Sequence, residues 1–201
     1  MTRIVEDGKL VAATVIQAEP CIVTQVKTVD TDGYNAIQIG CGSGIGNKPQ
    51  QGHAKKAGSA TSRFFIEFRV ENPENEPKLG EAVTVDSLAV GDVVNSVGIS
   101  KGHGFTGTVK RHNFRIGPRG HGGMNQRRPG SIGSTYPQRV LPGKKMAGRM
   151  GGERVTVKHL KVLDVLLDQQ LIVIKGSVPG VKGARIILQA SPRHQAKREQ
   201  V

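Results

Sequence analysis

Residues 101–158 restrict what this chain can fold into more than any other part of the sequence. They contain thirteen lysines and arginines but a single acidic residue, Glu153, so their net charge is +12. Thirteen of the 27 glycines fall between Gly102 and Gly152, and bulky apolar side chains are few. Such a segment cannot bury enough apolar surface to offset its loss of chain entropy. We therefore predict that this stretch, called here the basic segment, is ordered by a partner.

The charge of the basic segment indicates what that partner is. The whole chain has a net charge of +13, so the rest of the protein is close to neutral. A solvated surface normally mixes both signs of charge, and this segment does not. Arginine offers a planar fork to phosphate oxygens, while glycine lets the backbone approach a phosphate closely. Folded RNA presents phosphates together with unpaired bases, and it is the predicted partner.

The aromatic side chains of the basic segment are compatible with two roles. Phe105, Phe114 and Tyr136 have rings that stack on unpaired bases in many RNA complexes. The same rings also suit packing inside the protein. The sequence alone favours neither role for any of the three.

One motif in the basic segment raises the alternative of an enzyme that uses a nucleotide. Residues 102–109 fit the pattern G-x-G-x-x-G-x-V, which covers nucleotide phosphates in protein kinases. A kinase or a dinucleotide site also requires acidic residues downstream. No acidic residue occurs between Val109 and Gly152. We therefore predict a protein that is not an enzyme, and a nucleic-acid chaperone without a fixed site remains the third hypothesis.

The histidines and cysteines predict neither a metal site nor a cofactor. His103, His112 and His121 are nine residues apart, and no cysteine or carboxylate joins them at ligand spacing. Cys21 and Cys41 are the only cysteines in the sequence, and we interpret them as two buried thiols. No cofactor is predicted, and any structural Mg²⁺ would be bound by RNA.

The remaining sequence predicts a fold that is mainly β. Short segments rich in β-branched residues recur between turn signals on both sides of the basic segment. The predicted strands are residues 11–18, 21–27, 34–39, 63–70, 81–86, 92–97, 154–157, 161–167, 171–175 and 184–189. Helical turns are predicted only near residues 53–57 and 87–89.

Regular spacing of short strands favours a closed or nearly closed β-barrel, with a β-sandwich as the alternative. The predicted body comprises residues 1–99 and 153–201, with a small irregular α+β insertion around residues 40–90. Residues 100–152 form the long basic, glycine-rich extension. No apolar run is long enough to span a bilayer, and the first residues lack the apolar stretch of a secretory signal. We expect a soluble protein of the cytoplasm, without membrane partners.

Several motifs, in order along the chain, carry a resemblance to a known family. In the basic segment they are residues 100–111 (SKGHGFTGTVKR), 128–133 (RPGSIG), 143–148 (GKKMAG) and 153–157 (ERVTV). Outside it they are residues 1–4 (MTRI), 32–34 (DGY), 52–58 (GHAKKAG) and 175–180 (KGSVPG). With these motifs the chain closely resembles the bacterial large-subunit ribosomal protein L-three family. The matches cover nearly the whole length.

The resemblance implies a β-barrel on the outer side of the large ribosomal subunit, in the cytoplasm. It also implies an extension that passes through ribosomal RNA toward the peptidyl transferase centre. Family members bind the 3′ region of the large-subunit RNA early, help nucleate assembly, and lie beside ribosomal proteins L-fourteen and L-nineteen. In this chain the deep-reaching stretch corresponds to about residues 127–151.

Charge and resemblance together give the candidate RNA-binding residues. Lys144, Lys145 and Arg149 are expected to contact phosphates. The complete set is Lys55, Lys56, Lys101, His103, Phe105, Lys110, Arg111, His112, Arg115, Arg119, His121, Arg127, Arg128, Ser131, Tyr136, Arg139, Lys144, Lys145, Arg149, Arg154 and Lys158.

Three positions depart from the family pattern. A Gly-Leu-x-Gly-x-Lys-x-Gly segment usually precedes the Met1–Ile4 match. Its absence suggests a missed start or a trimmed chain, with the loss of a first strand. Arg149 stands where some bacterial relatives have a methylated glutamine, so that modification is not expected. His112 occupies a position where relatives often have tryptophan, which puts a stacking or packing role there in doubt.

Overall fold

The computed structural model describes residues 1–6, 8–44, 46–58, 62–70 and 77–190, which are mainly β as predicted. The strands among them are β1 (Thr2–Glu6), β2 (Lys9–Gln17), β3 (Cys21–Lys27), β4 (Ala36–Ser43), β5 (Ser62–Arg69), β6 (Ala82–Val83), β7 (Val93–Ile99), β8 (Phe105–Thr106), β9 (Gly148–Arg149), β10 (Arg154–Leu166), β11 (Leu171–Lys175) and β12 (Ile186–Ala190). The helices are α1 (Val29–Asp32), α2 (Lys48–Lys55), α3 (Thr108–His112) and a 3-10 helix at Val85–Ser87.

The backbone contacts divide the chain into two compact units. Among the described residues, the first unit comprises 1–94, 159–177 and 190, and the second unit comprises 95–158 and 178–189. The basic segment therefore falls almost entirely in the second unit. The boundaries predicted for the body and the extension remain a prediction.

An antiparallel sheet in the first unit has the strand order β1-β2-β11-β10. β11 pairs with β2 on one side, with Ile172 opposite Ile16, and with β10 on the other, with Ile172 opposite Val165. Ile172, Val173 and Ile174 are all buried, and because successive residues of a strand point to opposite faces, both faces of β11 are covered. This strand forms the centre of the first unit's core.

The second sheet of the first unit has the order β5-β4-β3-β6 and is also antiparallel. Helix α2 contacts β5. It begins with a capping box, in which the Asn47 backbone N–H donates to Oε1 of Gln50 at 2.9 Å, and Pro49 occupies its first turn. Buried Ala54 forms part of the apolar face of this helix.

The prediction of two buried thiols is wrong. Cys21 and Cys41 form a disulfide between β3 and β4, and both are only half-buried. Ile22 lies opposite Gly40 in the register of these strands, so the two cysteines are placed next to each other across the sheet. A pairing of this kind depends on strand register, which the spacing of two cysteines in the sequence does not reveal.

Most predicted strands are confirmed, with shifted ends, and the differences are local. The two strands predicted between residues 154 and 167 form one long strand, β10, which contains His159 in a left-handed conformation with φ 58°. β1, α1, β8, α3 and β9 were not predicted. In the described residues the strand order of each sheet is linear, so closure into a barrel is not confirmed. Residues 59–61 and 71–76 of the predicted insertion, and 191–201 of the predicted body, lie outside the description.

Candidate nucleic-acid interface

The basic segment exposes nearly all of its positive charge. Of its thirteen lysines and arginines, twelve are exposed and only Arg111 is half-buried. The three ion pairs found among the described residues, Lys27–Glu67, Lys161–Glu6 and Lys175–Glu6, all lie in the first unit. The positive charge of the basic segment is therefore not neutralised by side chains within the described part of the chain.

Two stretches at the ends of the basic segment are joined by backbone hydrogen bonds. The Ser100 N–H donates to the Glu153 carbonyl at 2.9 Å, and the His103 N–H donates to the Met150 carbonyl at 2.9 Å. β8 and β9 continue this pairing, with Phe105 opposite Arg149. The base of the basic segment is thus a narrow antiparallel ribbon.

Helix α3 carries two candidate residues into contact with the second stretch. Arg111 Nη1 donates to the Met146 carbonyl at 2.9 Å, and His112 Nε2 lies 3.1 Å from the same oxygen. The helix ends at Asn113, which adopts a left-handed conformation with φ 57°. The structure therefore gives Arg111 and His112 fixed positions, whereas most cations of the segment have none set by side-chain contacts.

A cleft of about 450 Å³ opens between the ribbon and α3. It brings together five candidate residues from three places in the sequence. They are Lys101, His103, Arg111, His112 and Arg149. Ser100, Met150, Gly151 and Glu153 also line it, and these four were not among the candidates. No local sequence signal marks them, because the cleft is created by pairing between segments about 50 residues apart.

The remaining candidates are spread along the segment without converging. Residues 113–147 contain turns and extended chain rather than helices or strands. Their hydrogen bonds are local, such as the Gly117 N–H to the Gln126 carbonyl at 2.9 Å and Ser131 Oγ to the Gly133 carbonyl at 2.9 Å. The exposed cations of this stretch are Arg115, Arg119, Arg127, Arg128, Arg139, Lys144 and Lys145.

The aromatic residues divide between the two roles left open by the sequence. Phe105 is 81% exposed and Tyr136 is 85% exposed, so neither ring packs in a core. Phe114 is half-buried, with its ring centroid 6.1 Å from that of His112. Phe105 and Tyr136 are available to stack on bases, whereas Phe114 packs beside His112.

Glu153, the acidic residue of the basic segment, is next to Arg154 in the sequence but forms no ion pair with it in the described chain. Neither residue takes part in an ion pair within the described chain. Glu153 instead contributes its backbone to the ribbon and lines the cleft.

Two candidates lie in the first unit. Lys55 is the last residue of α2 and Lys56 follows it, and both side chains are exposed. His53, on the same helix, contacts Gln38 of β4 through Nε2 and Oε1. These contacts hold α2 on its sheet with the two lysines directed to solvent.

The described residues contain no group of three or more His, Cys, Asp or Glu side chains placed to hold a metal ion. Nor do they include a helix long and apolar enough to cross a membrane.

The sequence matches known proteins along most of its length. The family model "Ribosomal protein L3" matches residues 66–166. The chain is 48% identical to the large ribosomal subunit protein uL3 of Desulfitobacterium hafniense over 195 residues, which is 95% of this chain and 92% of the relative. This chain belongs to the ribosomal protein L3 family.

Other members of the ribosomal protein L3 family match to a similar extent. The uL3 protein of Syntrophomonas wolfei is 46% identical over 97% of this chain and 93% of its own length. That of Carboxydothermus hydrogenoformans is 47% identical over 94% and 91%. The predicted resemblance is thereby confirmed, as is the prediction of a ribosomal protein rather than an enzyme.

Proposed function

We propose that this chain is a structural constituent of the large ribosomal subunit that binds ribosomal RNA through its basic segment. One observation carries the proposal: twelve of the thirteen cations between residues 101 and 158 are exposed, and no described carboxylate pairs with any of them. Unpaired cations on a segment with little apolar surface are suited to neutralising a phosphate backbone. Ribosomal RNA is the proposed ligand because the chain belongs to a family of ribosomal proteins.

The proposal extends to where the protein acts. The chain binds the 3′ region of the large-subunit RNA in the cytoplasm, helps nucleate assembly of the subunit, and directs residues 127–151 toward the peptidyl transferase centre. Ribosomal proteins L-fourteen and L-nineteen are its proposed neighbours, and a nearly closed barrel is the proposed form of its body. The glycine content and local turns of residues 113–147 support a segment that follows RNA surfaces closely.

All of the candidate RNA-binding residues remain part of this proposal. The exposed cations contact phosphates, which fix the position of the protein on the RNA without reading its sequence. Phe105 and Tyr136 add stacking on unpaired bases. Lys55 and Lys56 provide a second, smaller contact from the first unit.

Sedimentation of reconstituted large subunits tests the proposal. The full chain is mixed with large-subunit RNA and the other subunit proteins at low salt, and its presence in the particle is measured. We expect it to cosediment and to give one repeated RNA footprint. A chain that stays out of the particles contradicts the proposal, and crosslinks scattered over unrelated RNAs would instead indicate a general nucleic-acid chaperone.

A further inference from the structure

The cleft at the base of the basic segment holds cations with unused hydrogen-bond donors. A guanidinium has five N–H donors, and Arg111 uses Nη1 for the Met146 carbonyl. Within the described chain, Lys101, Arg111 and Arg149 form no ion pair. Glu153 is the one carboxylate among the residues that line the cleft. Three cations and one anion leave the cleft positive, so its ligand carries negative charge.

Two glycines allow these groups to approach each other. A Cβ at position 148 would lie 2.7 Å from Arg111 Nη1, and a Cβ at position 151 would lie 2.0 Å from the Lys101 carbonyl oxygen. Gly151 also has φ +76°, which favours glycine. Any other residue at these positions would displace Arg111 or separate the two stretches. The cleft is therefore built into the backbone rather than formed by mobile side chains.

An exposed aromatic residue is paired with one of the residues that line the cleft. Phe105 is directly opposite Arg149 in the ribbon, and opposite residues of an antiparallel pair place their side chains on the same face. Arg149 lines the cleft, and the exposed Phe105 ring is on the same face of the ribbon as the Arg149 side chain. Met150 adds apolar surface to the lining. This face of the ribbon thus offers a phosphate donor and a flat apolar ring on neighbouring strands.

The size of the cleft indicates whether paired or unpaired RNA can fill it. About 450 Å³ is in the range of pockets that enclose one small organic ligand, roughly 300 to 1,000 Å³. A double helix presents its phosphates at its surface and keeps its bases stacked inside, so it could touch the cations without filling the cleft. A single unpaired nucleotide can place its phosphate and its base in contact with the site together.

We propose that this cleft binds one unpaired RNA nucleotide, with its phosphate held by Arg111 and Arg149 and its base stacked on Phe105. Lys101 and His103 donate further hydrogen bonds to the sugar-phosphate backbone. The inference rests on the proposed function, since the RNA is that of the large subunit. It adds a defined binding site to a segment whose other cations bind phosphates without selecting unpaired nucleotides.

Site-specific crosslinking in assembled subunits tests the inference. Phe105 is replaced in the full chain by the photoreactive analogue p-benzoylphenylalanine, and Tyr136 is replaced in the same way as the control. We expect the probe at position 105 to crosslink to one unpaired nucleotide, and the probe at position 136 to crosslink to RNA elsewhere.

The outcomes separate the two proposals. Crosslinks from position 105 to paired nucleotides, to many scattered nucleotides, or to no RNA would overturn the cleft inference, while RNA crosslinks from position 136 would leave the proposed function intact. If neither probe reaches RNA in the particle, the proposed function fails as well.

Matched variants then connect the nucleotide to the cleft. Arg149→Gln and Phe105→Ala change the proposed nucleotide site. Arg139→Gln makes the same arginine substitution, and Tyr136→Ala removes another exposed aromatic ring, at positions outside that site. The reactivity of the crosslinked nucleotide toward 2′-hydroxyl acylation is measured in assembled particles. Loss of base stacking in Phe105→Ala, and loss of the phosphate contact that holds the nucleotide in Arg149→Gln, are expected to raise that reactivity at least roughly fivefold, whereas the controls leave it unchanged. Equal reactivity in all four particles would overturn the inference.

Discussion

In the first unit, charged side chains form ion pairs and apolar side chains are buried, whereas the described basic segment shows neither. Among the residues that the structure describes, twelve of the thirteen buried apolar ones and all three ion pairs belong to the first unit. Lys27 Nζ, for example, donates to Glu67 Oε1 at 2.7 Å and to the Tyr34 hydroxyl at 2.9 Å. Its hydrogen bond lowers the pKa of the Glu67 carboxyl.

This contrast shows that one chain obtains its order from two different sources. The first unit is stabilised by its own burial, as globular folds generally are. The basic segment has only its ribbon, α3 and local turns, so its remaining stabilisation has to come from a partner of opposite charge.

Salt concentration should change the RNA affinity of the basic segment far more than it changes the folding stability of the chain. If about ten cations of the basic segment neutralise phosphates, the affinity for large-subunit RNA falls by roughly 10³ to 10⁵ between about 50 and 200 mM monovalent salt. The free energy of unfolding of the chain alone should change little, because exposed ion pairs contribute at most about 1 kcal/mol each. Filter binding and urea titration over the same salt range measure the two quantities. An affinity that changes less than tenfold would contradict the division.

Removing core volume should affect stability and spare RNA binding. Ile174 is fully buried in β11, and Ile174→Ala is expected to lower the free energy of unfolding by about 2 to 5 kcal/mol through lost burial and a cavity. The control, Ile132→Ala, removes a 43% exposed side chain of the basic segment and should change stability by less than about 0.5 kcal/mol. Equal effects in urea denaturation would show that the basic segment has a core of its own.

Reversing two charges in the basic segment should weaken RNA binding and spare folding stability. Lys144 and Lys145 are exposed, and the one hydrogen bond found for them is from the Lys144 backbone N–H to the Leu141 carbonyl at 3.4 Å. Lys144→Glu with Lys145→Glu should reduce the salt slope of RNA binding by about two and weaken incorporation into subunits about tenfold to a hundredfold. Stability should be unchanged.

The matched control makes the same change of charge elsewhere. Lys9 and Lys182 are exposed and lie outside the basic segment, so Lys9→Glu with Lys182→Glu keeps the net charge equal to that of the first pair. If both pairs weaken incorporation equally, only net charge matters and the position of the cations does not.

The sequence predicted features that depend on local pattern, and it failed where distant residues decide the structure. The strands of the first unit follow from runs such as Leu171–Lys175, whose apolar residues require burial wherever the strand lies. The Cys21–Cys41 disulfide depends on the register of β3 and β4, which no single segment encodes. β10 continues through polar Lys158 and His159, and its pairing with β11 between Val162 and Leu166 is likewise a long-range feature that no local pattern predicts.

The same distinction holds for the site. Net charge and glycine content predicted an exposed cationic segment, since both are properties of composition. They did not predict that Arg111 would be held by the Met146 carbonyl, or that Gly148 and Gly151 would leave room for this cleft. Those contacts join residues 35 or more positions apart, and the five-residue helix that carries Arg111 has no sequence signal strong enough to predict it.

The smallest predicted effect concerns a charge cluster of the first unit and its dependence on pH. Glu6 accepts hydrogen bonds from Lys161 at 2.7 Å and Lys175 at 3.0 Å, and these lysines, Lys161 first, hold the pKa of the Glu6 carboxyl below its ordinary value of 4.5. A pKa lowered on folding stabilises the folded state above the ordinary value. That stabilisation is lost as the pH falls through the folded pKa.

Glu6→Gln should therefore lower the urea midpoint slightly at pH 7 and leave it unchanged at pH values well below the folded pKa. Asp168→Asn is the control, because Asp168 is exposed and forms no ion pair in the described part of the chain. The RNA affinity of Glu6→Gln at pH 7 should match that of the unmodified chain, since the substitution lies outside the basic segment. A loss of stability that does not depend on pH, or no loss at pH 7, would mean that these ion pairs do not stabilise the first unit. The first unit and the basic segment would then not differ in whether charged side chains contribute to folding stability.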